Sequence, residues 1–296
     1  MERKTAHDFD QELLALFDAY VHGALDRRGF LDQAARFAVG GVTAAMLLDQ
    51  LSPNFLAAQK VPTDDARLRA EYVEYDSPNG NGRMRGYLVV PAGATAKMPG
   101  VLVIHENRGL NPHIEDIARR LALDNFVAFA PDALFPLGGY PGTEDAARGL
   151  FPRLDQAKTR EDFVTAVAVL QARPECTGRV GAVGFCWGGG LTNDLAAASP
   201  DLAAAVAYYG RQASLDEVPN IQAALLLHYA GLDERINAGI DAYRAALEAN
   251  GKAFEIHVYE GANHAFNNDT SEARYHKEAA ELAWSRTIAF FREKLG

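Results

Sequence analysis

One cysteine set in a run of glycines, Gly184-Phe185-Cys186-Trp187-Gly188-Gly189-Gly190, stands where an apolar stretch turns into a helical one. Val180-Gly181-Ala182-Val183 reads as a buried strand, and Leu191 and Leu195 share one face of the helix that follows. A strand that turns sharply into a helix holds its corner residue on a strained backbone. The positions two before and two after it must then be small, and Gly184 and Gly188 are. A thiol at that corner also faces a helix N-terminus, whose free N–H groups and dipole favour the thiolate. The competing reading is a buried structural cysteine beside a glycine-rich turn. The strand–turn–helix context favours a reactive one.

From residue 69 onward the chain alternates between strand and helix. Residues 70–76 and 84–90 read as an antiparallel pair, and 99–105 as a strand buried on both faces. Asn111-Pro112 supplies an N-cap and a first-turn proline for a helix to about Leu123. Further strands are predicted at 126–130, 179–185, 203–209, 222–229 and 254–259, with helices at 158–172, 188–198, 235–249 and 272–294. Such alternation predicts an α/β fold, a mostly parallel twisted sheet with helices on both faces. Sites in such sheets lie at the C-terminal ends of the strands. With 296 residues, 48% of them hydrophobic, the chain can bury one large core but not two of full size. Its net charge of −10 repels phosphate backbones and argues against nucleic-acid binding, and no run of about 20 apolar residues is present to span a bilayer. The two cysteines, Cys176 and Cys186, stand at opposite ends of one predicted strand, too far apart for a disulfide.

The chain changes character near Lys60, which divides it into residues 1–60 and 61–296. Phe9, Leu13, Leu16, Phe17 and Tyr20 recur at helical spacing within 9–24. Asp26-Arg27-Arg28-Gly29-Phe30-Leu31 and the uncharged run Phe37 to Leu48 follow. Twin arginines before a weakly hydrophobic stretch resemble an export signal, with a poor cleavage site at Ala57 and Ala58. This reading places the protein in a periplasm. The alternative is a helical extension packed on the enzyme, in a cytoplasmic protein. Two features favour the alternative: an acidic stretch before the arginines, and Asp32 and Arg36 close behind them.

Two further residues complete a catalytic set around Cys186. Asp233 follows the strand at 222–229, in a loop opened by Gly231, and would also serve as a helix N-cap. His264 lies in the turn-rich loop Gly261-Ala262-Asn263-His264-Ala265-Phe266 after the strand at 254–259. The chain order nucleophile, acid, base and the strand-end placement both suit a triad. Glu106, in the loop His105 to Asn111, would enter the site near the thiol; the competing role is a partner of Arg108 or a lysine. The backbone N–H groups of Asn107 and Trp187 are the candidate oxyanion hole. Among the other histidines, His105 is expected at the pocket, His228 in the core, and His7, His22, His113 and His276 in solvent.

Together with Ala130-Pro131-Asp132, these segments resemble the dienelactone hydrolase family over about residues 65–296. The resemblance implies an α/β-hydrolase fold, cleavage of small-molecule lactones or esters through an acyl-enzyme on Cys186, and no metal or organic cofactor. It leaves the oligomeric state open. In that family two arginines clamp a substrate carboxylate. Here the segment after Asp132 runs Ala133-Leu134-Phe135-Pro136-Leu137 without arginine, and the other position is Asn268. Phe135 and Tyr140 are therefore expected to form an apolar wall, with Arg108 or Arg211 supplying any positive charge. Neutral lactones or activated esters are the expected substrates. The alternatives are thioester transfer or peptide cleavage on the same fold, or a non-catalytic small-molecule binder.

Overall fold

The computed structural model describes residues 6–271 and 273–296, apart from the side chains of His7, Leu56 and Ala57. The expectation of a solvated His7 and the side-chain requirement at Ala57 thus lie outside the described residues. Four helices come first: α1 (Gln11–Val21), α2 (Arg27–Ala34), α3 (Ala44–Leu51) and α4 (Phe55–Ala58). An antiparallel pair follows, β1 (Leu68–Ser77) and β2 (Gly82–Pro91), and then β3 (Met98–Ile104), α5 (Pro112–Leu123) and β4 (Val127–Pro131). Next come α6 (Glu144–Leu150), α7 (Gln156–Gln171), β5 (Cys176–Phe185), α8 (Trp187–Ala198), β6 (Leu202–Tyr208) and β7 (Ala224–Ala230). The chain ends with α9 (Glu234–Asn237), α10 (Ile240–Ala249), β8 (Phe254–Tyr259) and α11 (Lys277–Leu295).

The described strands form one eight-stranded sheet in the order β1-β2-β4-β3-β5-β6-β7-β8. β2 runs antiparallel to β1 and β4, and β3 to β8 are mutually parallel. This is the α/β-hydrolase architecture. Apolar side chains fill both faces of the central strands. One cluster joins Leu102 and Ile104 to Phe163 and Leu170 of α7 and Leu195 of α8. The other joins Val101 and Val103 to Ile114 and Ile117 of α5 and Phe291 of α11. Alternate residues of β3 serve opposite faces, so the strand has no polar position to give. The helix expected over 235–249 is broken. Gly239 packs against Gln212, whose amide donates to the Ile236 carbonyl at 3.1 Å, and a Cβ at Gly239 would meet Gln212 Oε1 at 2.2 Å. The last helix starts later than its periodicity suggested, at Lys277, where the His276 side chain caps it.

The N-terminal helices make a small core of their own. Leu13, Leu14, Phe17 and Tyr20 of α1 pack with Phe30, Leu47, Leu48 and Leu51, and Ala273 of the main body joins them. Asp10, Asp26 and Thr43 cap α1, α2 and α3. The uncharged run 37–48 is not one helix, because Gly40 and Gly41 take left-handed turns with φ of 64° and 86°. The packing is tied down by polar contacts. The Thr270 carbonyl accepts from the Asn54 N–H at 2.7 Å, and Ser271 Oγ donates to the Leu51 carbonyl at 3.0 Å. No helix among the described residues is long and apolar enough to cross a membrane.

Candidate active site

Cys186 occupies the corner between β5 and α8 with φ 56° and ψ −114°, a conformation that L-residues rarely adopt. The flanking glycines show why the turn can close. A Cβ on Gly184 would lie 2.0 Å from the Gly188 carbonyl oxygen, and one on Gly188 would lie 2.4 Å from the carbonyl oxygens of Ile104 and His105. The Cys186 N–H donates to the Tyr208 carbonyl at 3.0 Å, which locks the corner to β6. Trp187 is the first residue of α8, so its backbone N–H has no partner within the helix.

Asp233 and His264 meet at this corner from two neighbouring strand ends. Asp233 caps α9 through Oδ1, which accepts from the Ile236 N–H at 3.3 Å. Its Oδ2 accepts from His264 Nδ1 at 2.5 Å. The capping and orienting roles thus use different oxygens of one carboxylate. Cys186, Asp233 and His264 are only 8%, 6% and 5% exposed. With Nδ1 committed as donor, the neutral imidazole presents Nε2 as an acceptor, and that atom is buried with no hydrogen-bond partner. Burial opposes a charged thiolate, but the nearby His264 and His22 outweigh it and bring the Cys186 thiol down to about 6. Burial likewise opposes an imidazolium at His264, yet the Cys186 charge and the Asp233 hydrogen bond shift its pKa upward.

His22, expected in solvent from the sequence, is instead part of the site. It caps the C-terminal end of α1, and its Nε2 lies 3.4 Å from Cys186 Sγ. Its Nδ1 lies 2.9 Å from the Asp18 carbonyl oxygen and 3.2 Å from Asp18 Oδ2. Its ring stands edge-on to His264, with centroids 4.7 Å apart. No spacing rule could have linked a helix end at residue 22 to a strand end at residue 186. Cys186 Sγ and one nitrogen from each of these two histidines lie within 4.8 Å of one another. They are the one set among the described residues compact enough for a metal ion, and ligation would consume the same thiol.

The loop after β3 faces α1. Glu106 is not the partner of Arg108: its Oε2 accepts from Asn268 Nδ2 at 2.9 Å, while Oε1 is buried without a partner. Asn268, at the expected clamp position, therefore holds the carboxylate of the site. Arg108 is buried and donates to the Val21 carbonyl at 2.7 Å, and Asn107 Nδ2 donates to the same oxygen at 3.2 Å. Arg108 also lies 3.6 Å from Glu144. His105 lies in the core under the site rather than at the pocket. Its Nε2 accepts from the Ala133 N–H at 3.1 Å and its ring stacks on Trp187. His113 is buried as well, 3.4 Å from Asp269, whereas His228 is a satisfied core histidine, 2.9 Å from the Tyr259 hydroxyl and 3.2 Å from Thr287.

Two cavities meet at Cys186. The smaller, about 370 Å³, is lined by Glu106, Asn268 and Arg274 and roofed by Phe17, Tyr20 and Leu48. The larger, about 770 Å³, runs past Trp187, Tyr209, His264 and Arg211. Phe135 and Tyr140 line neither. Phe135 lies under the Arg85 guanidinium, and the Tyr140 hydroxyl donates to Glu144 at 3.3 Å. Arg211 reaches the larger cavity but is held by Asp194. Arg274, which the sequence reading passed over, reaches the smaller cavity, donates to the His264 carbonyl at 3.3 Å and faces Asp18 at 3.6 Å.

A family model described as the dienelactone hydrolase family matches residues 84–295, and one described as YqhI-like matches residues 1–38. A protein provisionally named carboxymethylenebutenolidase from Escherichia coli O157:H7 is 32% identical over 252 residues, covering 80% of this chain and 92% of its own. The hydrolase fragment YghX of Escherichia coli K12, also provisionally named, is 52% identical over 114 residues, 38% of this chain and 97% of the fragment. A solved structure provisionally titled dienelactone hydrolase, from Klebsiella pneumoniae, superposes with a TM-score of 0.66 at 31% identity. It covers 76% of this chain and 99% of its own.

Proposed function

The chain belongs to the dienelactone hydrolase family, and on that footing we propose that it cleaves small neutral lactones or activated esters through an acyl-enzyme on Cys186. It is a hydrolase of the dienelactone hydrolase type. The observation that carries the finer reading is the buried Asp233–His264 pair, 2.5 Å apart, at a strained cysteine that opens on two cavities. His264 Nε2 takes the thiol proton, and the thiolate adds to the carbonyl carbon. The N–H groups of Asn107 and Trp187 receive the oxyanion. The ring C–O bond breaks, and His264 passes its proton to the departing enolate or alkoxide. His264 then takes a proton from water, hydroxide adds to the thioester, and the C–S bond breaks to restore the thiolate. Neutral substrates are favoured by the state of three of the cavity arginines, while Arg235 also lines the larger cavity. Arg108, Arg211 and Arg274 each face a carboxylate of this chain, so none has an uncommitted charge for a substrate carboxylate.

The test is a chromogenic ester assay and a mass spectrum after mixing with a slow lactone. Cys186→Ala should lose all but a trace of turnover, and the wild type should gain one acyl mass on Cys186. Substantial turnover by Cys186→Ala would remove the nucleophile. A carboxylate-bearing lactone preferred strongly over its methyl ester would remove the neutral-substrate reading.

A further inference from the structure

We propose that the N-terminal segment supplies a second catalytic imidazole, His22, which holds Cys186 as a thiolate while His264 moves protons. The inference rests on the reading of Cys186 as nucleophile and adds to it a residue from outside the hydrolase part of the chain.

Both histidines are set up in the same way. Each has Nδ1 against acceptors only: Asp233 Oδ2 for His264, and the Asp18 carbonyl and carboxylate for His22. Each Nδ1 must therefore carry a hydrogen, which leaves each Nε2 to face the sulfur, as acceptor when the ring is neutral and as donor when it is charged. His22 Nε2 is the atom that the structure places on Cys186 Sγ, at 3.4 Å. The charges facing His22 come from several elements. Asp18 lies on its own helix, with Arg274 beyond it at 3.6 Å. Cys186 and the His264 ring close the other side, and Arg108 and Arg148 bind the last carbonyls of α1. Asp18 thus lies between two cationic sites and is held well below the usual carboxylate range by its hydrogen bond to His22 and the charges of His264 and Arg274, against a burial that alone would raise it.

The position of His22 is built. Arg108 Nη2 and Asn107 Nδ2 donate to the Val21 carbonyl, and Arg148 Nη1 donates to the Tyr20 carbonyl at 2.8 Å. These are the carbonyls that a helix C-terminus leaves open, and cations there also meet the negative end of the helix dipole. The arginines of the cleft seat α1, and α1 delivers His22. In the cycle, the thiol proton goes to His264 Nε2 and then to the leaving oxygen, and the proton taken from water returns to His264. His22 keeps its own proton throughout and donates Nε2–H to the sulfur whenever it is anionic, before attack and after the thioester breaks. No oxidant, reductant or metal is needed.

The experiment uses the full-length chain, with His22→Gln and Asp18→Asn as variants and thermal melts to confirm folding. The readouts are the pH dependence of Cys186 alkylation by iodoacetamide and kcat/KM for an activated ester. His22→Gln should slow alkylation at pH 6 by about 10-fold or more, move its midpoint to higher pH and lower kcat/KM by about 10- to 100-fold. Cys186 should still acquire an acyl mass. Asp18→Asn should move both readouts the same way by a smaller factor. Folded variants with both readouts within about twofold of wild type would overturn the inference while leaving the Cys186→Ala result intact. Loss of wild-type activity on chelation, restored by zinc, would overturn it in favour of a metal centre. Turnover by Cys186→Ala would instead remove the parent reading.

Discussion

Two thiols of one chain have been given opposite characters by their surroundings. Cys176 opens β5 and is buried; burial shifts its thiol upward. Cys186 is buried too, yet two imidazoles bring it down to about 6. For an acid with a lowered pKa the ionised form persists down to that value. The Cys186 thiolate should therefore be nearly fully formed at pH 7 and should fade as the pH falls through about 6. Iodoacetamide labelling of the native protein, followed peptide by peptide, should mark Cys186 many times faster than Cys176 at pH 7. The Cys186 rate should drop between pH 7 and pH 5. Equal rates at the two cysteines would mean that the corner does not activate its thiol.

At the level of elements, the site depends on how closely α8 approaches β3. Gly188 lets the first turn of the helix touch the strand end, and a methyl group there would strike two backbone carbonyls at 2.4 Å. Neither carbonyl can turn away without moving β3. Gly188→Ala should therefore destabilise the protein by about 2 kcal/mol or more in urea unfolding, with loss of turnover. Gly149 in α6 is the matched control, since a Cβ there meets nothing within 4 Å and its φ is not positive. Gly149→Ala should stabilise by about 0.5–1 kcal/mol through helix propensity. A Gly188→Ala protein as stable as wild type would show that α8 has room that the structure does not give it.

For the whole molecule, the His22 proposal implies that the N-terminal helices are part of the working enzyme. They roof the smaller cavity, carry His22 and share their core with Ala273. The intact mass of active protein from its source cells should thus correspond to a chain that retains His22. Fully active enzyme beginning after Ala58 would show that the segment is dispensable to the site. In such a protein the twin arginines would count as a removable signal rather than as the first turn of α2.

Periodicity and glycine placement determined the sheet. A strand buried on both faces reads as a continuous apolar run, and an amphipathic helix reads as a stripe, because each element meets its solvent or its core locally. The corner at Cys186 was legible for the same reason, since its strain is answered by residues only two positions away. Asp233 and His264 were legible because parallel strands place successive strand ends side by side. His22, the Asn268–Glu106 bond and the seating of α1 by Arg108 were not legible. Each is a contact between segments more than 80 residues apart, where a charged or aromatic side chain has many partners in reach of its type and sequence spacing names none of them. Only the packed chain decides which of them it meets.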